Sequence, residues 1–413
     1  MKDINSQVSY RAYGYRWVVL GLYGLATVTI QLMWTTFFSI ATDAWKFYGF
    51  QDAVTGVNAI DLLSIIFMVG MIVLSFPVMA AFEKFGFQKA VGFGVILTGI
   101  SAIYRGIFGS SYTALIIASV GFAIAQPFIL NAPGLVAGKW FPANERATAN
   151  SVGLLCNYIG MCVGLLLTPV LLDHGMDIPT ILLYYGIFGV ICAILFVLFV
   201  REEPPTPPCP PEEAHRASFL EGVRGCFRKK NFVIVLSVFF IMYGIFNTFF
   251  TMIEPILVDL SDSGVDSTQV GMLGVIILAA GILGSLVVSM VSDKDPKQRR
   301  LRYAILSNLI GGFGLLLFLF SKSFSPMMVA SLLYGFFIIG SAPLMLTYAA
   351  ESSYPTSEGT SEGLMMWSGN IAGVLFLGIA GLFSGNLRLL MILIVCITFL
   401  YLIPLKMGKE NRR

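Results

Sequence analysis

The sequence predicts an all-α membrane protein whose twelve transmembrane helices form two pseudo-symmetric six-helix bundles. Three observations predict it. The 413-residue chain is 57% hydrophobic and only 12% charged, with 34 Phe, whereas soluble domains carry about 25% charged residues. Nearly every apolar run reaches the roughly 20 residues that a helix needs to cross about 30 Å of hydrocarbon. Finally, the polar break after the fourth run reads Phe141-Pro142-Ala143-Asn144-Glu145, and the break after the tenth reads Tyr354-Pro355-Thr356-Ser357-Glu358. An aromatic-Pro-x-x-Glu phrase at matching places in two six-run halves points to duplication. Duplicated membrane halves typically bind a ligand at the seam between them, so a carrier is expected.

The predicted helices cover residues 17–41, 59–81, 88–107, 113–138, 149–172, 179–200, 231–258, 268–291, 303–320, 325–350, 360–384 and 387–406. Three regions follow: an N-terminal bundle over 1–200, a linker over 201–230 and a C-terminal bundle over 231–413. The first run is too long for a signal-peptide core and no small-residue cleavage site follows it, so it is read as retained. With the N-terminus inside, 22 Lys and Arg fall on the side of the termini and 4 on the other, namely Lys46, Arg105, Lys322 and Arg388. That asymmetry places both termini in the cytoplasm. The basic loops then serve topology, and nucleic acid is not expected as a partner.

Residues 201–230 begin Arg201-Glu202-Glu203-Pro204-Pro205, and prolines follow. Such a stretch reads as an extended connector. Its later part, Ala217 to Lys230, can form an amphipathic helix with Phe219, Leu220, Val223 and Phe227 on one side, either touching lipid or acting as a strap. The six cysteines give no disulfide framework: Cys156, Cys162, Cys192 and Cys396 lie within helices, and Cys209 and Cys226 in the linker. His174 and His215 make neither a metal site nor a catalytic pair. There is no phosphate-binding glycine loop and no nucleophile with a base, so the chain is read as a non-enzyme without a cofactor. The energy for transport must come from a gradient.

Polar groups inside apolar helices are functional candidates, because unpaired ones cost free energy in lipid. Trp34 in helix 1 and Asn247 in helix 7, its counterpart in the second half, would face one another across the seam. Trp34 reads equally as a packing residue. Glu254 follows Asn247 by seven residues, sharing its helix face, beside Pro255, which loosens the hydrogen-bond ladder. It could attract a cation, carry a proton, close an outer gate or simply meet water. Trp367, Ser368 and Asn370 in helix 11, Asn157 and Tyr158 in helix 5, and Gln126 and Asn131 in helix 4 line the pocket or hold helices together. Asp61 opens helix 2 at the outer face, as a helix cap or gate rather than a proton carrier, with Arg105 within reach as a partner.

The inner loops repeat as well. Loop 2–3 runs Glu83-Lys84-Phe85-Gly86-Phe87-Gln88-Lys89, and loop 8–9 runs Asp293-Lys294-Asp295-Pro296-Lys297-Gln298-Arg299-Arg300. In each, an acid ends an even-numbered helix ahead of basic residues, serving topology or latching the cytoplasmic side. Glu145, Arg146 and Glu358 in the repeated phrases, with Glu351 and Glu362 flanking the second, are assigned to the inner gate.

These loops, the central linker and Trp140-Phe141-Pro142-x-x-Glu145-Arg146 resemble the major facilitator superfamily. A narrower set is similar to the feline leukaemia virus subgroup C receptor family of solute carriers. It comprises Arg16-Trp17-Val18-Val19-Leu20, Ile60-Asp61-x-Leu63-Ser64, Ala125-Gln126-x-Phe128-Ile129-Leu130-x-x-Pro133 and Tyr354-Pro355-x-Ser357-Glu358-Gly359-Thr360-Ser361-x-Gly363. The resemblance implies transport of choline and ethanolamine, with haem export also attributed to that family. It also implies a helix 1 Trp in the cation pocket, the place of Trp34. Where the family has a helix 7 Tyr this chain has Asn247, and Tyr158 and Asn370 stand at its pocket glutamines.

The expected function is secondary, alternating-access transport of a small organic cation or amine such as choline. The pocket would comprise Trp34, Tyr158, Asn247, Glu254, Trp367, Asn370, Asn157 and Gln126. Gates would be formed by Asp61, Glu83, Lys84, Glu145, Arg146, Asp293, Glu351 and Glu358. The alternatives are a larger amphipathic solute such as haem or a drug, an organic anion, or a receptor that moves nothing. The expected partners are a small solute and the lipid bilayer, with a coupling proton or cation as one option, for a monomer in the plasma or inner membrane.

Overall fold

The computed structural model describes residues 11–142, 145–208, 219–262, 264–295, 299–354, 356 and 358–408. Among them are 12 helices long and apolar enough to cross a membrane: Arg16–Thr35, Ala53–Phe85, Phe87–Ile107, Tyr112–Trp140, Thr148–Asp173, Ile178–Phe199, Lys230–Thr251, Ser267–Asp293, Arg300–Phe320, Phe324–Ser353, Thr360–Phe383 and Leu387–Lys406. They are called helices 1 to 12 below. The described ends of the chain, at Arg11 and Gly408, and the described parts of the linker share one end of the molecule, the proximal end; loops 1–2, 3–4, 5–6, 7–8, 9–10 and 11–12 form the distal end.

Two boundaries differ from expectation. Helix 1 stops at Thr35, and a separate short helix, Ala41–Phe47, follows it. Helix 2 begins at Ala53, where the Asp52 carboxylate caps it by accepting the Thr55 backbone N–H at 2.9 Å. Asp61 is therefore not the cap: it lies more than two turns inside the helix. The breaks follow proline chemistry. Helix 7 divides into Lys230–Thr251 and Ile253–Leu260, because Pro255 has no N–H for the Thr251 carbonyl. Helix 4 divides at Asn131 and Ala132, ahead of Pro133 at the head of its second piece. Helix 10 carries a π turn over Gly335–Ile339, and the Ser307 hydroxyl of helix 9 donates to the Phe337 carbonyl there at 2.8 Å.

Lipid tails are as apolar as leucine, so close backbone packing rather than hydrophobic burial joins membrane helices. Gly160 lets helix 5 lie against helix 1: a Cβ there would stand 2.5 Å from the Val28 carbonyl oxygen. Helices 8 and 10 meet more tightly, since a Cβ on Gly284 would stand 1.9 Å from the Phe336 carbonyl oxygen. Neither backbone can yield cheaply. Gly284→Ala is expected to cost about 1–3 kcal/mol and to lower the melting temperature of the detergent-solubilised protein by several degrees; an unchanged melting curve would contradict this packing.

Side chains of helices 1 to 6 form one buried core, built around Tyr23, Phe67, Phe87, Phe122, Trp140 and Phe196. The other runs through helices 7 to 12 and takes in Phe38, Val57, Met68, Met161 and Leu165 from the first half. The halves are thus packed on each other along part of their seam, through helix 2 on helix 11 and helix 5 on helix 8.

The linker is fastened at both ends. Glu202 accepts from the backbone N–H groups of Phe87 (3.0 Å) and Gln88 (2.6 Å), capping helix 3 from outside it, and Lys139 pairs with it. Thr206 meets the Tyr13 hydroxyl and Pro207 accepts the Arg11 backbone N–H. The later helix, Phe219–Phe227, rests on the second bundle through Gly222, Gly225 and Cys226, beside Thr356 and Thr360. Its inward face is this small-residue one, while Phe227 is 53% exposed. The side chains of Phe219 and Leu220, and residues Cys209 and His215, lie outside the described set.

Partial burial pushes the Glu202 carboxyl up, but Lys139 and the amides of Gln88 and Phe87 outweigh it and hold it below the ordinary glutamate range. A depressed folded pKa contributes stability above the unfolded value that is lost as pH falls through the folded one. Glu202→Gln is therefore expected to flatten the acid limb of a thermal-stability profile and to change little at neutral pH beyond the lost ion pair. An acid limb as steep as that of the parent protein would exclude this role.

Candidate functional site

Hydrogen bonds between described residues of the two bundles lie at mid-depth and on the distal side. Deepest is the Trp367 indole N–H, which donates to the Ile72 carbonyl at 3.0 Å, with its ring 5.6 Å from Phe76. At the distal end Glu254 is 3% exposed and accepts from both the Thr42 backbone N–H (3.1 Å) and the Thr42 hydroxyl (2.9 Å). Ser267 donates to Asp43 at 3.0 Å, and Thr268 to Asp173 at 2.5 Å. Between these levels Gly271 meets helix 5, where a Cβ would stand 2.3 Å from the Leu165 carbonyl oxygen. The distal seam is shut. A cleft of about 380 Å³ outside it is lined by Asp43, Phe47, Leu172, Asp173, Asp177 and Ile178.

Among the described residues, the proximal ion pairs of Arg16 and Arg300 lie within their own bundles. Arg16 grips Glu145 at 3.1 Å, and Arg300 holds both Asp293 (2.7 Å) and Glu351 (2.8 Å). Arg146 donates to the Phe141 carbonyl at 3.4 Å. Glu83 and Lys84 are exposed, the Lys84 ammonium lying 5.2 Å from the Phe85 ring centroid. Gly21, Gly134, Gly138 and Gly363 have open space where a Cβ would point. Ala143, Asn144, Pro355, Ser357 and the Glu358 side chain lie outside the described residues. Of the expected inner-gate groups, Glu145 is thus paired within the first bundle, and Asp293 and Glu351 within the second.

From mid-depth to its distal side the seam is aromatic. Ring contacts run from Tyr243 to Phe246 (6.0 Å), Phe246 to Phe250 (5.2 Å), Phe250 to Phe38 (6.3 Å) and Phe38 to Trp34 (5.2 Å). This arc crosses from helix 7 to the end of helix 1. Trp34 packs against both cores, and Tyr158 reaches the second core from helix 5, within electrostatic reach of Tyr243. At about 1.5 Å per residue, Trp34, Tyr158, Tyr243, Asn247, Trp367 and Asn370 lie about 10–27 Å from the proximal ends of their helices.

Not every predicted residue belongs with the arc. Asn247 is buried and donates to the Tyr243 carbonyl at 3.0 Å, and Asn370 donates to the Met366 carbonyl at 2.9 Å, so each amide caps its own helix backbone. Glu254 stands apart, engaged by Thr42. Asp61 is 4% exposed with no partner for Oδ2. The expected Asp61–Arg105 pair does not form. Arg105 instead donates to the Met33 carbonyl at 3.1 Å and lies 4.9 Å from the Phe122 ring centroid. Gln126 Oε1, Asn157 Oδ1, Gln31 Oε1 and Trp34 Nε1 are buried without partners. Sequence reading missed Tyr243, Phe38, Phe246, Phe250, Gln31 and Thr42. The ring run hid among the many Phe of helix 7; Gln31 alone was visible, as a carboxamide inside an apolar run.

Comparison with known proteins agrees with this architecture. The chain is 26% identical over 397 residues to the zebrafish choline/ethanolamine transporter flvcr2a, covering 92% of this chain and 83% of the relative. It is 27% identical over 382 residues to human choline/ethanolamine transporter FLVCR2, covering 87% and 70%. A crystal structure of a bacterial homologue of the human lysosomal transporter Spinster, inward-facing and unoccupied, superposes with a TM-score of 0.75 at 15% identity, covering 98% of this chain and 99% of that one. The profile of the Major Facilitator Superfamily matches residues 22–377 and again 250–410. The chain belongs to the Major Facilitator Superfamily, a secondary transporter built on that fold.

Proposed function

We propose that this transporter carries a small organic cation or amine through the seam between its bundles. The observation that carries the reading is the aromatic arc from Trp34 to Tyr243. A quaternary ammonium donates no hydrogen bond, so ring faces are its natural partners, worth about 0.5–2 kcal/mol each. The relatives named choline/ethanolamine transporters support the same chemistry. Trp34, Tyr158 and Trp367 are assigned to the pocket, with Asn157 and Gln126 as polar contacts and Asn247 and Asn370 shaping its backbone. We assign Glu254 to the distal gate, since its carboxylate is already held by Thr42.

In this reading, residues 1–200 and 231–413 rock as units joined by 201–230. The excess of basic residues supports a cytoplasmic proximal end, and we assign the carrier to a plasma or inner membrane with its shut distal seam facing away from the cytoplasm. Arg16–Glu145 and Arg300–Asp293–Glu351 would meet as the proximal side closes. Asp61, buried without a partner for one oxygen, is the group available to a coupling proton or cation in a monomeric carrier.

Counterflow in proteoliposomes tests the function. Liposomes loaded with unlabelled choline or ethanolamine should accelerate entry of the labelled compound. Binding without exchange would identify a receptor, and exchange of anions or haem alone would remove the cation reading.

A further inference from the structure

We infer that Gln31 and Asn157 form a hydrogen-bond-accepting wall beside Trp34 that favours protonated primary amines over quaternary ones. This narrows the amine reading above and rests on it. Gln31 is 3% exposed, yet its Oε1 has no partner. Asn157 Oδ1 and Trp34 Nε1 are equally without partners. Inside hydrocarbon an unsatisfied polar group is costly, so three together mark a place where something polar belongs.

The helices bring them together. Gln31 and Trp34 are one turn apart on helix 1, as Asn157 and Gly160 are on helix 5, so each pair shares a face. A Cβ on Gly160 would stand 2.8 Å from the Gln31 Cβ. Gln31 therefore lies over helix 5 one turn from Asn157, and Trp34 continues from it into the aromatic arc.

The chemistry of the wall is specific. Carboxamide oxygens accept hydrogen bonds without adding a fixed charge to the membrane interior. The aromatic arc serves any organic cation, methylated or not. Both compounds can offer one hydroxyl to a waiting oxygen, but only a cation with N–H groups can satisfy the two oxygens from the ammonium itself. A trimethylated head presents methyls there and leaves at least one acceptor unpaired, which costs it affinity relative to a primary ammonium.

The test compares 2-aminoethanol with its trimethylated form, choline, by calorimetric titration of the purified full-length protein and of Gln31→Leu, Asn157→Leu and Trp34→Ala. The parent protein should bind the primary amine more tightly. Gln31→Leu should weaken the primary amine about tenfold and leave choline within about twofold, while Trp34→Ala weakens both. Should Gln31→Leu fail to fold, Asn157→Leu, at a less buried position, carries the same comparison. A parent preference for choline, or variants that leave the primary-to-quaternary ratio unchanged, would overturn this inference alone. Failure of the parent protein to bind either compound would overturn the amine reading and this inference with it.

Discussion

Trp34→Ala is expected to weaken binding of choline or ethanolamine by about tenfold, with Trp34→Phe retaining most of the affinity. A cation over an aromatic face gains about 0.5–2 kcal/mol, or roughly two- to thirtyfold. Loss of the ring also removes the edge contact with Phe38 at 5.2 Å, which holds one end of the arc. A thermal-shift series with each ligand reads the effect directly. If Trp34→Ala folds and binds cations as the parent does, the arc is packing and the pocket lies elsewhere. Phenylalanine separates the two roles, since it keeps a ring face but removes the unpartnered Nε1.

The second large effect belongs to the distal latch. Glu254→Ala should open the distal seam, because one carboxylate there takes two hydrogen bonds from Thr42 across the halves. A hydrogen bond to a charged group is worth about 1.5–3 kcal/mol, so the net loss of even one of the two shifts the open-to-closed ratio by roughly ten- to a hundredfold. Spin labels at Asp177→Cys and Asp259→Cys, exposed distal positions in opposite bundles, would report a longer-distance population. Glu254→Gln should fall between parent and alanine, since the amide oxygen still accepts. Identical distance distributions in all three would mean that Gly271 and its neighbours close the seam unaided.

The membrane helices were legible because the bilayer imposes length: a run shorter than the hydrocarbon is thick cannot span it. Pro255 likewise marked where the ladder of helix 7 loosens, whereas helix 4 was read as continuous through Pro133. The start of helix 2 was not legible, because its first turn, Ala53-Val54-Thr55-Gly56, is short of large apolar residues and is held by the Asp52 cap. The site was only partly legible. Trp34 and Asn157 stand out as polar groups in apolar runs, and Trp34 packs against both cores. Tyr243 does not stand out in so aromatic a helix, and no local pattern links Thr42 to Glu254 across 212 positions. Paired contacts between halves are tertiary, and a duplicated sequence reveals the halves more readily than their contacts.

The double fastening of the linker settles where the switching energy does not reside. Glu202, Thr206 and Pro207 secure one arm to the first bundle, and Gly222 to Cys226 lay the other on the second. Fourteen residues, Pro208 to Glu221, separate Pro207 from Gly222 along the chain. Each arm is held by its own bundle rather than across the seam, so neither mooring favours the open or the closed state. The linker keeps the two bundles at high effective concentration, and leaves the choice between open and closed to the surfaces that meet across the seam.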